Sequence, residues 1–131
     1  MSYANPDRRF YFFAAVDYGA GDSAQSIQGP KGKAGKLVDI HLAATETFNS
    51  VTTDGYTDIG TAADPNAYAH FVQGDLADTD SVSGEDGVTD TDWLIDADIP
   101  ADTQVEVTFV APTGGTPTGI ANVVIVIDWA R

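Results

Sequence analysis

Two strand-like phrases, Thr103–Val110 (TQVEVTFV) and Ile120–Trp129 (IANVVIVIDW), flank the turn-rich stretch Pro112–Gly119 (PTGGTPTG). The first phrase alternates. Val105, Val107 and Phe109 share one face, and Gln104, Glu106 and Thr108 share the other. Successive side chains on a strand point to opposite sides, so this pattern predicts a strand with one buried and one wet face. The second phrase is rich in β-branched residues and suits a central, buried strand. Proline, threonine and glycine between the two suggest a hairpin.

The same reading extends outward along the chain. Leu37–Phe48 (LVDIHLAATETF) alternates, with Val38, Ile40 and Leu42 on one side and Asp39, His41 and Ala43 on the other. Phe10–Val16 (FYFFAAV) is aromatic and nearly free of polar residues, which predicts a strand buried on both sides. Ser23–Gln28 and Thr52–Gly60 read as further strands. Asp64-Pro65-Asn66 marks a turn or helix start, because Asp caps and Pro suits the first helical position; Ala67–Val72 then reads as a turn entering a strand. Asp75–Asp102 holds ten acids in 28 residues and reads as surface loops around one or two short strands. Many short strands, frequent turns and no long amphipathic helix predict an all-β chain. The expected architecture is a single β-sandwich, jelly-roll-like, over residues 10–131, with acidic loops and an extended N-terminal arm over residues 1–9.

A chain of 131 residues makes one domain with a genuine core. It has no cysteine, which excludes disulfides, thiolate metal sites and cysteine nucleophiles. No run approaches the ~20 apolar residues of a membrane span. The apolar start of the chain is interrupted by Asp17 and Tyr18 and reads as a strand rather than a leader core. Six bases face twenty acids, for a net charge of −14, and Leu37–Ala130 contains no Lys or Arg. Such a surface repels nucleic acid and anionic lipid, so neither is an expected partner. The excess of Asp over Lys also fits a halophilic source.

Gly29–Lys36 (GPKGKAGK) holds every lysine of the chain. A phosphate-cradling loop needs Gly, four residues, then Gly-Lys-Ser/Thr. Here the positions five before Gly35 and Gly32 are Pro30 and Ile27, and the residues after the two Gly-Lys pairs are Leu37 and Ala34. Nucleotide binding is therefore not expected. Two readings remain: a flexible glycine turn with solvated lysines, or a basic contact patch of Lys31, Lys33 and Lys36, joined by Arg8 and Arg9 on the arm, for a partner of opposite charge. Tyr3, set apart from the first strand by Asn5-Pro6-Asp7, is a further contact candidate.

Catalytic and cofactor signals are weak. The acidic stretch Asp90–Asp98 lacks the ordered ligand spacing of a calcium loop, so solvated acids are the expected reading. His41 and His70 are too few for zinc and no G-x-S-x-G elbow accompanies them. Twenty acids leave paired carboxylates for glycoside chemistry formally open, yet only Glu46, Glu85 and Glu106 are glutamates. The expectation is no enzyme, no cofactor and no metal. Trp93, Trp129 and the tyrosines could line a sugar site or an interface, while core packing is the default for Trp129.

Three phrases in order, GPKGKAGKLVDI, IGTAADPNAYA and PTGIANVVIVIDW, resemble the small head decoration, or cement, proteins of tailed bacteriophages. The resemblance covers most of residues 27–74 and the C-terminal 20; the acidic block Asp75–Asp102 matches nothing in it. It implies a jelly-roll-like sandwich on the outer surface of the virion, bound to the major capsid protein as a homo-oligomer, a trimer. Such a protein clamps neighbouring capsomers and stabilises the assembled shell. The rival readings are a low-copy tail, neck or fibre module, a carbohydrate-binding module using aromatics and acidic loops, and, last, a small enzyme.

Overall fold

The computed structural model describes residues 5–49, 52–84 and 92–131. Among these, nine strands run in chain order: β1 (Asp7–Asp17), β2 (Ser23–Gln28), β3 (Gly35–Asn49), β4 (Tyr56–Gly60), β5 (Ala69–Val72), β6 (Ser81–Ser83), β7 (Asp98–Ile99), β8 (Gln104–Val110) and β9 (Thr118–Trp129). A short 3-10 turn, Tyr18–Ala20, follows β1 and is capped by the Asp17 side chain, which accepts from the Ala20 N–H.

The pairing is nested. β1 pairs with β9, β2 with β8, β3 with β6 and β4 with β5, all antiparallel. That is one long two-stranded ribbon closed at the β4–β5 turn. The ribbon then rolls up, so that β9 also meets β3 and β8 also meets β4. Two sheets result, β1-β9-β3-β6 and β2-β8-β4-β5, with β7 added beside the start of β3. Eight strands wound this way make a jelly roll, so the expected β-sandwich is present.

Rolling also corrects the expected hairpin. β8 and β9 follow each other in sequence but lie in opposite sheets, and the connection between them crosses from one sheet to the other. Thr113 ties that crossing down through backbone bonds with Thr52 and Thr53. The Asp64-Pro65 segment makes turns, not a helix: the Asp64 carbonyl accepts from Thr61 and Ala67, and its N–H donates to Thr61 Oγ1.

The core lies between the sheets. Val105, Val107 and Phe109 of β8 face Val123, Ile125 and Ile127 of β9, all essentially inaccessible to solvent. Burying a side chain of this size stabilises by about 1.5–3 kcal/mol. Tyr18 fills one end of the core, edge-on to Phe48 and Phe109, and its hydroxyl is satisfied by Thr57 Oγ1 at 2.7 Å. Burial pushes its phenol well above the usual tyrosine range. The register of β3 on β9 shifts at three places, and the first shift breaks the expected alternation. Leu37 pairs with Ile127 and Asp39 with Val126, so a bulge at Val38 turns that residue out of the core face and puts Leu37, Ile40 and Leu42 inward.

β1 departs most from expectation. It begins at Asp7, so Arg8 and Arg9 are strand residues rather than part of an arm. It is an edge strand, and Phe10 and Phe12 are 66% and 61% exposed. Only its inner face is covered: Phe13 packs edge-on against Phe109, and the Tyr11 hydroxyl accepts from Trp129 Nε1 at 2.8 Å.

Candidate interaction surface

The register gathers the scattered bases at one end of the sandwich. β1 starts there, β3 starts there, and β9 ends there. Arg8 and Lys36 both lie opposite Asp128, one on each side of β9. Arg9 follows Arg8, and the loop carrying Lys31 and Lys33 leads into β3. Arg131 follows Ala130, whose N–H donates to the Ala34 carbonyl of that same loop. All six Lys and Arg residues of the chain therefore meet at one end, leaving most of the twenty acids elsewhere. Of the candidate contact residues, five converge here; Tyr3 lies outside the described residues.

Ion pairs fix part of this set. Arg8 grips Asp128 with two bonds, Nε–Oδ1 at 2.6 Å and Nη2–Oδ2 at 2.9 Å. That grip holds the Asp128 carboxyl below the usual carboxylate range, against an opposing effect of burial. Arg9 pairs with Asp7 at 2.9 Å and Lys36 with Asp98 at 2.7 Å.

The lysine loop is shaped by an indole, not by a phosphate. A side-chain carbon on Gly29 would lie 2.4 Å from the Trp129 ring, and one on Gly35 would lie 2.6 Å from it. Both glycines are needed so that the backbone can lie against the buried indole, which is 1% exposed. Between them, Lys33 N–H donates to the Pro30 carbonyl, and Gly32 holds φ +75° at the turn position that requires it. The Gly32 N–H donates to Asp102 Oδ1 at 2.8 Å, so the amide that would face a phosphate already faces a carboxylate.

Beside the basic end runs an apolar strip. Phe10 lies opposite Val126 and Phe12 opposite Val124, with all four side chains on the outer face of the first sheet. A cleft of about 390 Å³ opens where the edge strands β1 and β2 separate, lined by Phe12, Phe13, Val16, Asp17, Gln25 and Phe109 among others. Its carboxylate, Asp17, already caps the 3-10 turn.

The second sheet carries a different arrangement. His70 Nδ1 meets Asp58 Oδ1 at 2.6 Å, and the imidazole lies against Tyr56 with ring centres 4.6 Å apart. Burial raises the Asp58 carboxyl, partly offset by the hydrogen bond and charge of His70. Thr108 is the next residue in the row, opposite Asp58. The order is hydroxyl, carboxylate, imidazole, whereas a hydrolytic triad needs the imidazole in the middle. No local sequence signal joins this pair. Asp58 and His70 are twelve positions apart and meet only through the β4–β5 register.

Both tryptophans are buried, Trp93 at 6% and Trp129 at 1%, so neither lines a sugar-binding surface. Among the described residues no three of His, Asp or Glu come together as a metal site. Asp90 and Glu85 of the acidic block lie outside the described residues.

No family model matches the chain, and no curated protein matches it significantly. A solved structure, the cyanophage Pam1 capsid asymmetric unit, is similar over 98% of this chain and 89% of that chain, with 12% sequence identity and a TM-score of 0.44.

Proposed function

We propose that this chain is a structural protein of a tailed-phage head, and not an enzyme. It binds the outer surface of the assembled capsid as a homo-oligomer, a trimer, and clamps neighbouring capsomers. The observation that carries this reading is the convergence of Arg8, Arg9, Lys31, Lys33 and Lys36 at one end of an otherwise acidic jelly roll. An acidic protein with one cationic end docks in a single orientation, because every other approach to an acidic partner is repelled. The head assignment comes from the three phrases that resemble decoration proteins. They fall on the lysine loop, the β4–β5 turn and β9, which build that end and the strands behind it. Stabilisation follows from mass action: a protein that binds only the assembled shell shifts the equilibrium toward it.

Quantitative mass spectrometry of density-purified particles tests the placement. A ratio to the major capsid protein near one is expected, a few per hundred would move the chain to the tail or neck, and absence from particles would overturn the virion reading. The contact surface has its own test. Lys31, Lys33 and Lys36 changed together to Glu are expected to abolish binding to empty capsids while the protein stays folded; unchanged binding would remove the lysine loop from the interface.

A further inference from the structure

The outer face of the first sheet is self-complementary. Five rows of side chains cross it, each set by the register of β1, β9 and β3. The row at the basic end is Arg8, Asp128 and Lys36. Next come Phe10, Val126 and Asp39, then Phe12, Val124 and His41. The fourth row is small: Asn122 and Ala43, beside the bulge of Ala14 and Ala15, with Asn122 tied back by accepting from the Ala15 N–H at 2.9 Å. The last row is Asp17, Ile120 and Glu46. The face thus runs from a row with two cations flanking one carboxylate, through a centre that is apolar on β1 and β9 and carries Asp39 and His41 on β3, to a row with two carboxylates. Its bulky row and its small row stand at equal distances on either side of the row of Phe12.

We propose that this face pairs with the same face of a second copy of the chain. The two-fold axis lies between the sheets, across the strands, at Phe12 and Val124. That operation lays β1 against β1 in the opposite direction. Arg8 of one copy then meets Asp17 of the other, Lys36 meets Glu46, Phe10 settles over the alanine row, and Phe12 meets Phe12. A two-fold interface requires this pattern, in which the partner of each residue is fixed by the same patch on the other copy. Like charges oppose each other in the alternative two-fold, with its axis along the strands, which selects the first. Face-to-face sheets pack about 10 Å apart with strands within about 30° of each other, and the aromatic row fills that gap. The inference does not need the phage-head reading, although it shares Arg8 and Lys36 with the contact end proposed above; in trimers, this face joins copies of neighbouring trimers.

The paired rows span about 26 Å by about 15 Å, roughly 400 Å² of each copy. That is half of the roughly 800 Å² per partner of a stable complex, so the pairing is weak and concentration-dependent in free solution.

Sedimentation equilibrium of the full chain up to roughly 1 mM tests it. The mass is expected to rise toward twice its low-concentration value and to rise less at high salt. Phe12→Asp is expected to abolish the doubling without changing the thermal midpoint, because the side chain is 61% exposed. Lys36→Glu alone and Glu46→Lys alone are each expected to weaken association at least tenfold, and the double variant to restore it. Folding damage cannot produce that restoration. A mass independent of concentration, association into odd-numbered species only, survival of the doubling in Phe12→Asp, or a double variant no better than the singles would each overturn the proposal.

Discussion

The two sheets share one core and present opposite outer faces. On the first, Asp128 sits on a central strand between Arg8 and Lys36, and the surrounding side chains are Phe10, Phe12, Val124 and Val126. On the second, Asp58 sits beside His70 and Thr108, with Tyr56, Val72 and Val110 in the row on one side and Glu106 and Ser26 in the row on the other. Both carboxylates are partly covered, yet they shift in opposite directions. Arg8 holds Asp128 down, while burial drives Asp58 up because an imidazole is a weaker counter-charge than a guanidinium. One face is thus built for association, with its charges paired off and its apolar groups displayed. The other mixes Tyr56, Val72 and Val110 with polar groups around a carboxylate whose burial nothing fully offsets.

The strongest way to break the contrast is to remove what positions the basic end. Trp129→Ala is expected to cost about 3–5 kcal/mol in urea unfolding, as for other large aromatic truncations in a core. It also removes the indole against which Gly29 and Gly35 lie, so protease sensitivity is expected to rise in the Gly29–Lys36 loop before the rest of the chain. Gly35→Ala should cost less, about 1–3 kcal/mol, because the added carbon meets a ring that a packed core cannot move aside. Gly35→Ala with stability unchanged would mean that the loop does not rest on the indole.

A smaller perturbation separates the two carboxylates by pH. Arg8→Ala is expected to destabilise by about 0.5–1 kcal/mol at pH 7, the range for an exposed ion pair. The folded Asp128 has the lower pKa, so the unfolded chain binds its proton first as pH falls. The stabilisation is therefore present above the unfolded aspartate value of about 3.9 and is lost as pH falls through the lower folded value. Urea midpoints of wild type and Arg8→Ala should converge at low pH; parallel curves down to the acid limit would show that the pair contributes nothing through Asp128.

How much of this was legible differs between the faces for a physical reason. β8 alternates strictly because one side is wet, so Gln104–Val110 was readable residue by residue, as was Ser23–Gln28 as a strand. β1 offers aromatics on both sides, and FYFF looks the same whether the outer face is covered by core or open to a partner. Alternation cannot report what lies beyond the molecule. The Val38 bulge escaped because a one-residue slip leaves composition unchanged. Local signals also placed β8 and β9 correctly as strands while missing their separation into two sheets, since winding is set by non-local pairing. The lysine loop was half visible. Its glycines were evident, but their reason is an indole at Trp129, and the meeting of Arg8, Lys36 and Arg131 exists only once β9 lies between β1 and β3.

The finest test lies on the second face, where the sign reverses. A carboxyl whose folded pKa is raised favours the folded state when protonated, so its contribution is fullest below the unfolded value and declines as pH rises through the folded one. At pH 7 the ionised Asp58 is therefore a net cost. Asp58→Asn keeps an oxygen that can accept from His70 Nδ1 and removes the buried charge. It is expected to stabilise at pH 7 by less than about 1 kcal/mol, within the range of mild surface changes. The gain should shrink as pH falls through the raised folded value, where the wild-type carboxyl takes up its proton and a charge no longer separates the two proteins. The effect is opposite in sign to that of Arg8→Ala, which holds down to the unfolded aspartate value and fades only below it. A stabilised Asp58→Asn at neutral pH with this decline establishes the second face as one that merely accommodates its carboxylate. A destabilised variant would show that the Asp58–His70 pair holds β4 to β5 as Arg8 and Asp128 hold β1 to β9, and the two faces would then differ only in their apolar groups.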